Sequence, residues 1–307
     1  MIRTIFLAAM LTAPVALYAA PVDSIATCDA EWRDAARDRD VPVRIRMPSG
    51  TGKAPVILFS HGLGGSLDGG TNWAVAWAES GFIVVNLQHP GSDRSILGQG
   101  RIGAAMAPAQ LVARVDDVHF VLDELGRRPR EGACDLARAD LAHVGMSGHS
   151  FGAHTTQAIA GQRFPVAGIA ADPRVKAAIA FSPSPPMRGS DAAAFGAITI
   201  PFFSFTGTED AAQITPSITP KDRERPFRAM PPGDKYLLVL GGANHMMFNA
   251  QDGLRGPAST ATPHIRDTVI TATTLFWRAT LLGDAAARAE LARFGATLPS
   301  SDRFEHR

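Results

Sequence analysis

The sequence has almost no net charge. Thirty Lys and Arg stand against 29 Asp and Glu, giving +1 over 307 residues. No basic stripe is present to neutralise phosphates, so nothing points to nucleic acid, and no acidic block suggests a charged tail. Internal repeats are absent, and no linker is long enough to divide the chain. Cysteine is scarce, with only Cys28 and Cys134. Beyond the first twenty residues no apolar run is long enough to span a membrane. What is present, 46% hydrophobic and 19% charged residues, is the composition of a globular chain.

The first twenty residues stand apart. Arg3 precedes the apolar, small-residue stretch "IFLAAMLTAPVALYAA", and the charged stretch "CDAEWRDAARDRD" follows soon after. This pattern is that of a secretory signal peptide, with Ala19 and Ala20 as small residues near its end. It predicts an exported chain, periplasmic or secreted, without stable membrane insertion. In such a compartment Cys28 and Cys134 are expected to pair, tying the N-terminal segment to the core. Residues 21–40 are expected as an N-terminal tail, 41–295 as one domain and 296–307 as a C-terminal tail.

Between the tails, strand-like and helix-like segments alternate. "APVILFS" (54–60) and "FIVVNL" (82–87) are continuous apolar runs, as in strands buried on both faces. "VPVRIRM" (41–47) alternates, and further strands are expected at 141–146, 175–182, 198–207 and 235–242. In the segment 108–126, Leu111, Val115, Val118, Leu122 and Leu125 form one apolar stripe at helical spacing, with Pro108 near its start and Gly126 at its end. His119 adjoins that stripe and reads as a packed helix residue. Amphipathic helices are expected at 264–283 and 284–295. The alternation predicts an α/β fold: a mostly parallel sheet of about eight strands with helices on both faces. Two long loops, 88–107 and 211–234, interrupt it.

The chemistry gathers at the strand ends. Gly148-His149-Ser150-Phe151-Gly152 is a G-x-S-x-G match between a strand and a helix, the context in which this motif presents a nucleophilic serine. A serine needs a base and the base an orienting carboxylate, here in the chain order serine, acid, histidine. His245, just past the last long strand, is the expected base; His154 and His264 lie on helices. Asp210 is the preferred acid, with Glu209 the neighbouring alternative and Asp191 the outside candidate. An oxyanion hole requires two backbone N–H groups. Phe151, following the serine, is expected to give one, and Leu63, in the loop "HGLGG" after an early strand, the other. His61 in that loop is expected to make a structural hydrogen bond. His89 or Asp93, in "HPGSD", is expected to pin the neighbouring loop. Trp73, Met246, Met247, Phe248 and the 211–234 loop are candidates for an acyl pocket, with core packing as the alternative.

With these motifs in place the chain resembles a serine hydrolase of the α/β-hydrolase superfamily, within the dienelactone hydrolase-like and platelet-activating-factor acetylhydrolase-like branch. "FSHGLGGS", "GFIVVNLQHPGSD", "MSGHSFGAHT", "DPRVKAAIAFSP", "TGTED" and "GANH" carry the resemblance. It implies hydrolysis of a small or lipid-like carboxylic ester without metal or organic cofactor. Serine rather than cysteine at the nucleophile position departs from some dienelactone hydrolases. A lipase, a polyester hydrolase and an amidase would use the same machinery. A catalytically silent binding protein on the same fold is the reading from outside enzymology.

Overall fold

A computed structural model describes residues 25–98, 100, 102–165, 168–212, 218–250 and 262–307. The expected signal peptide lies outside these residues. Nine strands form one mixed, mostly parallel sheet: β1 (Ala26–Asp34), β2 (Arg39–Met47), β3 (Ala54–Ser60), β4 (Ile83–Leu87), β5 (Ala139–His149), β6 (Val175–Phe181), β7 (Phe202–Glu209), β8 (Lys235–Asn244) and β9 (Arg303–His306). Their spatial order is β1-β2-β4-β3-β5-β6-β7-β8-β9. From β4 to β8 all neighbours are parallel, while β1, β2 and β9 pair antiparallel.

Eight helices pack against this sheet among the described residues. They are α1 (Thr71–Glu79), α2 (Ile102–Ala105), α3 (Pro108–Arg127), α4 (Phe151–Ile159), α5 (Asp191–Phe195), α6 (Arg225–Ala229), α7 (Thr262–Leu281) and α8 (Ala285–Arg293). The alternation of β3 explains the two covered faces. Ile57 and Phe59 join the core under α1, α7 and α8, with Trp73, Trp77, Trp277 and Leu291. Val56 and Leu58 point the other way, to Val115, Val118 and Leu122 of α3 and Ile159 of α4. A strand buried on both faces cannot alternate polar and apolar residues, which is why "APVILFS" is continuously apolar.

Both expected tails contain strands. Residues 26–34 form a hairpin with β2, in which Cys28 and Trp32 face the core while Ala26, Thr27, Asp29 and Glu31 face solvent. The charged solvent face makes the segment read as a tail. Arg303–His306 closes the opposite edge against β8, with His306 stacked on Tyr236 at 4.3 Å. The expected Cys28–Cys134 disulfide is present, with the Cα atoms 6.2 Å apart. It ties the edge strand to the turn that enters β5. No helix among the described residues is long and apolar enough to cross a membrane.

Candidate active site

Parallel strands deliver their following loops to one edge of the sheet, the usual location of sites in α/β folds. Register aligns these ends: Ser60 lies beside Gly148, His149 beside Phe181 and Glu209 beside Asn244. Ser150 stands at the turn between β5 and α4 with φ 56° and ψ −112°, a conformation that L-residues rarely adopt. Its N–H donates to Phe181 O at 3.0 Å, fixing the turn against β6. The two flanking glycines are required by close approach. A Cβ on Gly152 would lie 1.8 Å from Ser60 O, and one on Gly148 2.4 Å from Gly152 O.

The structure brings Ser150, His245 and Asp210 together. His245 Nε2 lies 2.9 Å from Ser150 Oγ, and His245 Nδ1 lies 2.7 Å from Asp210 Oδ1. Nδ1–H donates to the carboxylate, which leaves Nε2 free to accept the serine proton. Asp210 is fully buried, and its other oxygen accepts from Thr206 Oγ1 at 2.9 Å. The alternative acids are elsewhere. Glu209 ends β7 facing solvent, and Asp191 heads α5 in an ion pair with Arg225 at 2.8 Å.

His149, the residue before the serine, donates from Nε2 to His245 O at 2.9 Å, and the two rings lie 4.7 Å apart. Burial pushes the His149 imidazole well below its ordinary pKa, so it is neutral. Asn244 accepts from the N–H groups of Met246 and Met247 and opens the turn that carries His245.

The loop of residues 61–65 lies against the serine turn. A Cβ on Gly62 would come within 3.4 Å of Ser150 Cβ. Neither Leu63 N–H nor Phe151 N–H donates to another described residue, while Gly64 N–H next to Leu63 is held by Ser92 O at 2.9 Å. His61 has the structural part expected of it. Its Nδ1 donates to Gly62 O at 2.6 Å, and its Nε2 accepts from His89 N–H at 3.0 Å. Gly62 O belongs to the peptide unit whose N–H is that of Leu63. In a trans peptide the two point in opposite directions, so gripping the oxygen aims the N–H.

His89 and Asp93 also act as pins. Asp93 accepts from Ser95 Oγ at 2.6 Å and Gln88 Nε2 at 2.8 Å. His89 Nε2 lies 2.9 Å from Ser60 Oγ, and its Nδ1 lies 2.9 Å from Asp117 Oδ2. Among the described residues there are therefore two Ser–His–Asp relays of nearly equal dimensions. In the second, all three residues are fully buried, and Ser60 is the last residue of β3 with regular strand pairing to Leu87 and Gly148. Burial, with Arg114 nearby, pushes His89 down to about 4, so it is neutral at physiological pH. That relay is inaccessible, and its bonds are structural.

Trp73 and Phe248, candidates for an acyl pocket, are core residues. Trp73 stacks on Phe181 at 5.8 Å and donates to Phe248 O, while Met246 and Met247 are half-buried. The described part of the 211–234 loop has a different use. It folds into a turn at Pro220–Glu224 and α6, and places Arg223 under the acid. Arg223 Nε donates to Asp210 O at 3.2 Å and lies 3.5 Å from its Oδ1. Its Nη1 donates to Ser182 O at 3.0 Å and Ser184 Oγ at 2.6 Å. Burial pushes this guanidinium below its usual value, and Asp210 opposes the shift. Nothing in the sequence marks Arg223, since "KDRERPFR" looks like any solvated, charged loop.

Among the described residues no group of His, Cys, Asp and Glu is arranged to hold a metal ion. No protein-family model matches the chain, and no curated protein matches it significantly.

Proposed function

We propose that this protein is a serine hydrolase of the α/β-hydrolase type that cleaves carboxylic esters through an acyl-enzyme. The observation that carries the reading is the continuous hydrogen-bonded line from Asp210 through His245 to Ser150 Oγ, with distances of 2.7 and 2.9 Å. Ser150 Oγ attacks the ester carbonyl as His245 Nε2 takes its proton. Asp210 holds the imidazole in the tautomer that leaves Nε2 free and balances the charge it gains. The N–H groups of Leu63 and Phe151 receive the oxyanion of the tetrahedral intermediate. His245 then protonates the departing alcohol, and water, activated by the same histidine, releases the acid.

The substrate in this reading is a small or lipid-like ester with a short to medium acyl chain. Lipase, polyester hydrolase and amidase activities are the neighbouring possibilities, and a silent binding protein is the contrasting one. Export to the periplasm or beyond belongs to the same proposal. Its support is the Cys28–Cys134 bridge, since disulfides persist in oxidising compartments.

The test is reaction of the folded protein with a fluorophosphonate probe, followed by a p-nitrophenyl ester panel of increasing chain length with triglyceride, polymer and amide added. Stoichiometric modification at Ser150 and turnover of the shorter esters are expected. An unmodified Ser150 in folded protein refutes the reading.

A further inference from the structure

Behind the proposed oxyanion hole lies a buried cation with no carboxylate in direct contact. Arg114, on α3, is fully buried, and no carboxylate among the described residues is in ion-pair contact with it. Asp117, one turn further on, is already held by Arg37 at 2.9 Å and Arg39 at 2.7 Å. The partners of Arg114 are neutral. Nε donates to Thr155 Oγ1, Nη1 to Ser92 Oγ and Nη2 to Ser60 Oγ, each at 2.9 Å. Nη2 also donates to His61 O, and the guanidinium carbon lies 4.5 Å from the centre of the Phe151 ring. Removing a charge from water without pairing it is costly, and desolvation pushes the Arg114 pKa down to about 9.

These contacts fall on both sides of the oxyanion hole. His61 O and Ser60 Oγ belong to the segment leading into Leu63. Ser92 Oγ belongs to the residue whose carbonyl holds Gly64 N–H, so the loop is gripped on either side of Leu63. On the opposite wall, Thr155 Oγ1 also donates to Phe151 O at 3.2 Å, and the guanidinium packs on the Phe151 ring. A fixed fork suits this task, because each donor restrains a different acceptor at once.

We propose that Arg114 is a positioning residue for catalysis, bracing the Leu63 and Phe151 amides as one rigid pair and placing a positive charge behind the oxyanion. This rests on the serine hydrolase reading. In the resting enzyme the groups in contact with the charge are neutral, and the carboxylates of Asp117 and Asp93 act on it only from beyond contact distance. A full negative charge arises beside it when the tetrahedral intermediate forms, so its benefit falls on the transition state more than on bound substrate.

The test compares wild type, Arg114→Met, Arg114→Lys and Ser92→Ala in the full chain. Steady-state kinetics on p-nitrophenyl acetate and inhibition by a trifluoromethyl ketone are measured, with folding checked by circular dichroism. Arg114→Met is expected to lower kcat by about 100-fold while KM stays within about threefold, and to weaken the ketone by a factor similar to that in kcat. Arg114→Lys should recover part of the loss. Ser92→Ala, which frees one arm of the fork, should lower kcat by about threefold to tenfold with KM unchanged. A folded Arg114→Met with wild-type kcat, or with its loss confined to KM, overturns the proposal. If Arg114→Met does not fold, unchanged kcat in both Arg114→Lys and Ser92→Ala overturns it. A wild type that neither reacts with fluorophosphonate nor turns over refutes the hydrolase reading and this one with it. An active wild type beside unaffected variants refutes this one alone.

Discussion

Replacing Ser150 by glycine should make the protein more stable than replacing it by alanine, although glycine normally weakens a helix start relative to few residues and a chain interior relative to most. Both substitutions remove the hydroxyl and its hydrogen bond to His245, so the comparison isolates the backbone. Ser150 sits at φ 56° and ψ −112°, outside the regions open to residues with a Cβ. Holding a non-glycine residue in such a region costs about 1–3 kcal/mol, and alanine keeps that strain. Glycine relieves it, at an offset of about 0.5–1 kcal/mol for its greater freedom in the unfolded chain. The balance favours Ser150→Gly by about 1 kcal/mol, or about 2 °C in Tm for a domain of this size. Urea unfolding of the two variants side by side measures it. If Ser150→Gly proves equal to or less stable than Ser150→Ala, the serine is not strained and the account of the turn is wrong.

Three further outcomes are expected. Asp210→Asn should lower kcat by about ten-thousand-fold with the fold retained, because an amide favours the wrong His245 tautomer; esterase kinetics with a circular dichroism spectrum check this, and near-normal turnover would remove Asp210 from the mechanism. Loss of the Cys28–Cys134 bridge, which closes a separation of 106 residues, should cost about 4–5 kcal/mol by chain entropy and lower Tm by roughly 8 °C, yet spare activity at 25 °C. Calorimetry of the double Cys→Ala variant tests it, and an unchanged Tm would show that the bridge restrains nothing. His89 stays neutral in the folded protein down to about pH 4, whereas its unfolded counterpart gains a proton near 6.5. Its contribution is therefore complete above pH 6.5 and is lost as the pH falls toward 4, by about 3 kcal/mol in all. Buried His61 and His149, also pushed down by burial, act in the same direction. Denaturation midpoints between pH 7 and 5 report this, and a flat profile contradicts it.

The parts of this molecule that could be read from the sequence are those in which one residue type has one physical meaning. Continuous apolar runs mark β3 and β4 because both faces of those strands are covered. Gly148 and Gly152 mark the serine turn because Ser60 O leaves no room for a side chain. His245 and Asp210 could be placed because they lie just past predicted strands, and parallel strands end at one edge. Elements with mixed surroundings were obscure. The strand at 26–34 buries only one face, and its charged outer face hides the i, i+4 pair of Cys28 and Trp32. Arg303–His306 is too short to show a period. Arg223 gave no signal, since its burial depends on a loop returning to Asp210. Arg114 did leave one: it lies three residues after Leu111 and four before Val118, on the apolar face of α3. A cation on that stripe must either reach solvent or find buried acceptors, and four oxygens receive it here.

The bond from His149 to His245 O has a mechanical consequence. His149 is covalently next to Ser150, so the strand that leads into Ser150 also holds the main chain of His245. The turn carrying His245 and the turn carrying Ser150 are thus joined at a point other than the Oγ–Nε2 contact. The spacing of Ser150 Oγ and His245 Nε2 is thereby fixed by a second link besides their own contact, one that runs through His149 rather than through the surrounding loops.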